Sequence, residues 1–175
     1  MSFKLRPFKP EDADGMLEWM HDPDVNYVFS TPFAQYSKEQ VLNFIALSNE
    51  DTSQNLHLAC VNDQDEYLGT VSLKNINYVN QNAEYAISFR KAAHGTGASA
   101  YATKEILRIA FEELKLEKVY LYLFDVNQRA DSFYKKCGFV YEATFVKHMA
   151  LHGELRDIKW YRMLRDEWLC ATHTD

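Results

Sequence analysis

Residues 84–139 read EYAISFRKAAHGTGASAYATKEILRIAFEELKLEKVYLYLFDVNQRADSFYKKCGF. The stretch begins inside an apparent strand, Ala83 to Phe89, and passes through a glycine-containing loop, Arg90 to Gly97. Ala98 to Lys115 predicts a helix, because Ile106, Leu107, Ala110, Phe111 and Leu114 recur at helical spacing and make one apolar stripe. Val119 to Phe124 is almost wholly apolar, the pattern of a strand buried on both faces and paired in parallel. A strand, a crossover helix and a parallel strand make a βαβ unit. Asp125 to Arg129 then turns into a short helix that ends at Gly138, a residue suited to the left-handed position after a helix.

Working outward, Phe3 to Phe8 alternates like a half-buried strand. Pro10, with Glu11, Asp12 and Asp14 behind it, marks a helix start, since acids suit the positive end of the helix dipole. Met16, Leu17 and Met20 give that helix its face, and Asp22-Pro23-Asp24 ends it. Residues 25–36 read as irregular. Ser37 with Gln40 resembles a capping box, and Val41, Leu42, Phe44, Ile45 and Leu47 form a second apolar helical face. Leu56 to Val61 and Tyr67 to Ile76 read as a hairpin, and Phe139 to Phe145 and Asp157 to Met163 as two final strands with His152-Gly153 between them. The expectation is one α/β (α+β) domain over residues 1–175, with no internal repeat.

The formal net charge is −6, which argues against nucleic acid or an anionic membrane as the main partner, because both need a basic footprint. Cys60, Cys137 and Cys170 form no C-x-x-C pair, so neither zinc nor a disulfide framework is expected, and reduced thiols in a cytoplasmic protein is the plain reading. Met1 to Pro10 has no apolar signal core, and no run approaches the length of a membrane span. His21, His57, His152 and His173 show no metal spacing and read as surface or satisfied core residues.

The loop His94-Gly95-Thr96-Gly97-Ala98-Ser99 has two readings. It is a plain turn, or it is a phosphate site in which glycines let amide N–H groups approach an anion and the following helix adds free donors. The chain has neither G-x-x-x-x-G-K-[ST] nor G-x-G-x-x-G, which excludes the common nucleotide motifs. It also has no G-x-S-x-G, so a hydrolase lacks its nucleophile.

In the segment Asn127 to Phe139, Ala130, Phe133, Tyr134 and Cys137 share one helical face. By itself this makes Tyr134 an ordinary core tyrosine. However, Asn-x-x-Ala-x-x-Phe-Tyr-x-Lys-x-Gly-Phe, about thirty residues after a loop-to-helix phosphate site, strongly resembles the GNAT superfamily of N-acetyltransferases. Within it the chain is most similar to the RimJ/RimL and spermidine acetyltransferase branch, from Lys4-Leu5-Arg6-Pro7 to Tyr161-Arg162-Met163-Leu164. The resemblance implies a mixed six- to seven-stranded sheet with flanking helices and a V-shaped splay between strands four and five. The family's loop reads Gln or Arg, x, x, Gly, x, Gly or Ala, whereas here His94, Gly97 and Ser99 hold those three places.

The implied reaction moves an acetyl group from acetyl-coenzyme A (acetyl-CoA), by direct attack in a ternary complex, to a primary amine of a protein N-terminus, polyamine or amino sugar. Main-chain groups of Ile87, Ser88 and Phe89 are implied to pair with the pantetheine, and amides from His94, Gly95, Thr96, Gly97, Ala98 and Ser99 to hold the diphosphate. Asn127, Ala130 and Lys136 are implied on the same side, with Tyr134 as the acid that protonates the leaving thiolate. Glu84 is the candidate base, with Tyr85 or His148 as substitutes. The first two helices, the loop Tyr27 to Tyr36 and the turn between the last two strands are implied to choose the acceptor. Leu17 to Val25 also resembles family members that acetylate amino sugars of surface glycans. The alternatives are a different acyl-coenzyme A donor and a non-catalytic acyl-coenzyme A-binding module of the same fold. The family also implies a homodimer as one assembly, and no metal.

Overall fold

A computed structural model describes residues 2–172. His173 lies outside the described residues. Seven strands form one sheet: β1 Lys4–Arg6, β2 Leu56–Val61, β3 Tyr67–Asn77, β4 Asn82–Phe89, β5 Lys118–Phe124, β6 Val140–Leu151 and β7 Glu154–Leu164, in the order β1-β2-β3-β4-β5-β7-β6. The helices are α1 Asp12–His21, α2 Pro23–Asn26, α3 Lys38–Glu50, α4 Ala98–Arg108, α5 Gln128–Lys136 and α6 Arg165–Thr172. The sheet is antiparallel except between β4 and β5. The expected mixed sheet and crossover helix are therefore present.

Local chemistry fixes several ends. Ser37 accepts from Gln40 N–H and Gln40 returns the bond to Ser37 N–H, so α3 starts on a complete capping box. His152 and Gly153 both have positive φ, which makes a two-residue turn whose twist matches its strands. That turn lets β6 and β7 run beyond the predicted Phe139–Phe145 and Asp157–Met163. The helix expected over 98–115 is α-helical only to Arg108 and widens into a π turn at Ile109–Glu113, which keeps Ala110 and Phe111 buried. The irregular stretch contains α2 and a short 3₁₀ turn, Phe33–Gln35.

Two main cores lie on opposite faces of the sheet, and a third, small cluster joins Phe124, Leu151 and Ile158, with Met149 and Trp160 packed against it. The larger packs α4 and α5 against Val71, Leu73, Tyr85, Val119, Leu121 and Tyr161. The smaller packs Met16, Trp19 and Met20 of α1 and Val41 and Ile45 of α3 against Ala59, Val61 and Tyr67. A part-buried Arg6–Asp12 pair, bidentate at 2.7 and 2.9 Å, ties β1 to α1. Two expectations fail here. β5 is not buried on both faces: Val119, Leu121 and Leu123 enter the larger core, but Tyr120 and Tyr122 point to the other side, where Tyr122 is exposed. On α3 only Val41 and Ile45 of the apolar face are buried, at i and i+4 with Ser48 one turn on, while Leu42, Phe44 and Leu47 lie to either side of that line and stay exposed. Among the described residues, no helix is long and apolar enough to cross a membrane.

Candidate active site

The pairing of β4 with β5 covers only three rungs, Asn82–Lys118, Ala83–Val119 and Glu84–Tyr120. From Tyr85 onward β4 pairs with β3 alone, and from Leu121 onward β5 pairs with β7 alone. The strands thus part into a V, and every second main-chain group of β4 beyond Glu84 faces the gap. Such groups are strong donors and acceptors and take a strand-like ligand readily.

A cleft of about 230 Å³ runs along this gap. Ile87, Ser88 and Phe89 form its β4 wall, and Asn127, Arg129, Ala130, Phe133 and Tyr134 form the α5 wall. His94 and Ser99 close the end near α4, and Asp24, Val25, Tyr27, Val28 and Phe29 roof it. The cleft gathers eight of the residues expected from sequence: Ile87, Ser88, Phe89, His94, Ser99, Asn127, Ala130 and Tyr134. Gly95, Thr96, Gly97 and Ala98 do not line it with side chains; they are the loop that delivers α4 to it. Lys136 sits exposed at the opposite end of α5, away from the cleft.

The two helix N-termini at the cleft differ. Asn127 caps α5 by accepting from Ala130 N–H at 3.1 Å. α4 begins at Gly97, with φ of 90°, and has no side-chain cap from that residue. Ala98 N–H reaches Thr96 Oγ1 at 3.3 Å, and among the described residues Ser99 and Ala100 N–H have no side-chain acceptor. A Cβ on Gly95, at φ 80°, would meet nothing within 4 Å, so its role is the left-handed turn rather than close packing. The uncapped α4 terminus is the end that can hold an anion.

Arg129 adds a cation. It stands in the first turn of α5, where the dipole favours an acid, and among the described residues it has no carboxylate partner. Burial, and then the Arg129 charge, hold the His94 imidazole below its ordinary value. Sequence reasoning passed over Arg129; the signal available was a cation in a turn that normally carries acids.

Tyr134 is buried, edge-on to Tyr85 with ring centroids 5.8 Å apart, and also against Phe133 and Phe139. Burial pushes its phenol well above the usual tyrosine value, so the hydroxyl remains protonated. Among the described residues that hydroxyl has no hydrogen-bond partner, and the side chain lines the cleft. The Tyr85 hydroxyl, by contrast, is tied to Thr103 Oγ1 at 2.8 Å, and burial raises its pKa too. It is a poor base, and it lies on the same face as Tyr134.

Glu84 lies at the vertex of the V on the opposite face from Tyr85 and does not line the cleft. It is 8% exposed; Lys74 Nζ is 2.6 Å from Oε1, and Asn75 Nδ2 donates to Oε2 at 3.0 Å. His148 stands on edge strand β6, edge-on to Phe145 and outside the cleft. The loop and turn expected to choose an acceptor do meet, since His152 Nε2 bonds to Tyr27 O at 2.7 Å. Trp19, Phe33 and Tyr36 belong instead to the core under α1. A second groove, between α1 and the start of β3, is lined by charges that pair with one another, including Arg6–Asp12, Arg6–Asp65 and Arg90–Glu18. Among the described residues no cluster of His, Cys, Asp and Glu could hold a metal ion.

Comparison with known proteins gives a consistent picture. The family model described as "Acetyltransferase (GNAT) domain" matches residues 3–140. The spermidine N(1)-acetyltransferase of Vibrio cholerae is 27% identical over 161 residues, covering 89% of this chain and 91% of that protein. A putative ribosomal N-acetyltransferase of Bacillus subtilis is 29% identical over 100 residues, 57% of this chain and 55% of that protein. The crystal structure of the Vibrio cholerae spermidine N-acetyltransferase in complex with CoA and spermine superposes with a TM-score of 0.85. The match covers 95% of this chain and 98% of that one at 24% identity, a likeness of fold.

Proposed function

The chain belongs to the acetyltransferase (GNAT) domain family, and on that premise we propose that it transfers an acetyl group from acetyl-CoA to a primary amine of a polyamine. The observation that carries this reading is the gap beyond Glu84 and Tyr120, which sets an open main-chain edge of β4 beside the free hydroxyl of Tyr134. The polyamine acceptor is supported by the spermidine acetyltransferases among the relatives.

The residues present fit the cosubstrate. Main-chain groups of Ile87, Ser88 and Phe89 take its pantetheine arm as a neighbouring strand would be taken. The free amides of Ser99 and Ala100, with Arg129 and His94, hold its diphosphate. Asn127 orients this end of the cleft, and Ala130 leaves room for the arm. Bound acetyl-CoA supplies an acetyl group activated as a thioester.

The chain's own groups then have separate tasks. An N–H on the open edge of β4 donates to the carbonyl oxygen where charge develops. Tyr134 donates to the sulfur as the carbon–sulfur bond breaks, and a neutral phenol in an apolar setting suits that task. The acceptor amine arrives from the opposite face of the sheet, where Glu84 takes its proton. Because Lys74 and Asn75 hold that carboxylate, the proton passes through water. Acid and base thus work from opposite faces of the sheet, and the two protons do not compete for one site.

The test is thiol release on mixing the protein with acetyl-CoA and spermidine, with monoacetylspermidine identified by mass. Release that requires both compounds supports the reading. Acetyl-CoA binding without release for any amine in a panel turns it into a binding module, and absence of acetyl-CoA binding at millimolar concentration ends it.

A further inference from the structure

On the face of the sheet opposite α4 and α5, α1 and α3 cover only the β1–β3 half. The β5–β7–β6 half of that face carries a small buried cluster of Phe124, Leu151 and Ile158 and, beside it, a group of aromatic rings together with the Lys118–Glu142 pair. Trp160 is the hub: its ring centroid is 5.5 Å from Tyr120, 5.2 Å from Tyr122 and 5.5 Å from Phe145. The interplanar angles are 32°, 39° and 46°, so the rings lie closer to parallel than the edge-on pairs that fill the α1 core, such as Trp19–Phe33 at 73°. Tyr122 is 36% exposed and Phe145 43% exposed. Trp160 Nε1 is buried without a hydrogen-bond partner, so nothing in the protein holds this ring by its polar atom.

This platform is continuous with the reacting centre. Tyr120 is the Cα partner of Glu84 at the vertex of the V, and Tyr122 is the next residue on the same face, beside the gap. The charge of Glu84 helps raise the Tyr120 phenol, after burial, which places the carboxylate beside the ring. Glu142 flanks the other side, bound to Lys118 at 2.7 Å. Both carboxylates are thus neutralised by lysines, and net negative charge cannot by itself draw a cation here.

Resting on the polyamine reading above, we infer that Tyr120, Tyr122, Trp160 and Phe145 form the acceptor subsite. It takes the part of a linear polyamine beyond the reacting nitrogen, through cation–π contact with its second ammonium and apolar contact with its methylenes. The rings suit this occupant because a π face attracts an ammonium without an uncompensated charge, and the methylenes between nitrogens pack on apolar surface. The platform therefore selects long acceptors over short ones and leaves the acetyl donor untouched.

The test compares spermidine with n-butylamine as acceptors for the wild type, Trp160→Leu, Tyr122→Leu and the conservative Trp160→Phe, with acetyl-CoA affinity measured by calorimetry on each. The expected result is a rise of about tenfold in KM for spermidine in both leucine variants. KM for n-butylamine shifts threefold or less, kcat for spermidine falls less than KM rises, and Trp160→Phe restores most of the loss. Equal shifts for the two amines overturn the subsite while leaving the polyamine reading intact. If the wild type acetylates no amine, the polyamine reading falls, and calorimetry of spermidine against the CoA complex still decides the platform: binding lost in Trp160→Leu upholds it, and binding unchanged or absent overturns it. Sedimentation that shows a dimer in the wild type and a monomer in Tyr122→Leu assigns the face to a second copy and also overturns it.

Discussion

Glu84 and Tyr120 form the last rung between β4 and β5, and the open main-chain edge of β4 begins at the next residue. The pair also marks a change of chemistry. On one face of that rung lie buried Tyr85 and Tyr134; on the other lie a carboxylate and an aromatic platform. The rung thus separates a buried, un-ionised hydroxyl on one face from a carboxylate on the other.

Tyr134→Phe removes a hydroxyl that no protein group holds, so the fold should be indifferent to it. The expected outcome is a fall in kcat of about 100-fold, within the range for loss of a general acid, with the acetyl-CoA dissociation constant changed about twofold or less. Because burial raises the phenol above its ordinary value, wild-type kcat should show no loss from Tyr134 ionisation up to about pH 10. Steady-state thiol release with calorimetry checks both points, and an unchanged kcat removes Tyr134 from the chemistry.

Arg129→Ala should separate binding from stability. If the proposed diphosphate site is right, loss of this cleft-lining cation is expected to weaken acetyl-CoA binding about tenfold and to flatten its dependence on ionic strength. The same change removes a cation from the first turn of α5, where the dipole opposes it, so stability should hold or rise by a few tenths of a kcal/mol. Calorimetry at two salt concentrations and urea unfolding give the two readouts. Weaker binding accompanied by clear destabilisation would mean that Arg129 is structural.

Asp12→Ala leaves the half-buried guanidinium of Arg6 with Asp65 as its remaining carboxylate. Asp12 is 3% exposed and also accepts from Lys9 N–H at 2.8 Å, so its loss orphans groups on β1 and at the start of α1. A destabilisation of about 3 kcal/mol is expected in urea unfolding, since breaking one partner of a buried pair costs the desolvation of the other. A change below about 1 kcal/mol would show that water reaches Arg6 freely.

His57 supplies a pH dependence. Its Nδ1 lies 2.7 Å from Ser72 Oγ, its ring packs on Phe44, and burial with the nearby Lys74 charge pushes it down to about 4. The unfolded chain therefore binds a proton that the folded chain refuses between pH 6.5 and about 4. Stability from this group is complete above pH 6.5 and declines as the pH falls toward 4, by up to roughly 3 kcal/mol. His57→Asn should flatten that decline, as read from thermal midpoints at pH 4.5, 5.5 and 7. An identical slope in wild type and variant would place the acid sensitivity elsewhere.

Much of this was legible along the chain. Ser37 and Gln40 announce α3 because a capping box is closed by residues three apart. The helical spacing of Ala130, Phe133 and Tyr134 announces that they share a face because an α-helix imposes it locally. The loop before α4 was legible as a candidate anion site, and its glycines do adopt left-handed backbone. Other features were not. Tyr120 and Tyr122 look like core in an apolar run, and their exposure depends on which half of the sheet the helices cover. Arg129 is one basic residue among nineteen until the fold sets it near His94. Glu84 reads as an available base until Lys74 and Asn75, across the β3–β4 hairpin, are seen to hold it.

The sequence by itself determined the order of the elements, their caps, the family and the presence of Tyr134 on an apolar helical face, because these are set by residues within a turn or two of one another. Only the tertiary structure decided where β4 and β5 part, which face Glu84 takes, and which rings line the open half of the sheet. Those outcomes follow from where a non-local pairing stops: one more β4–β5 rung would close the open main-chain edge of β4, and no local pattern in either strand records that the rungs end at Glu84 and Tyr120.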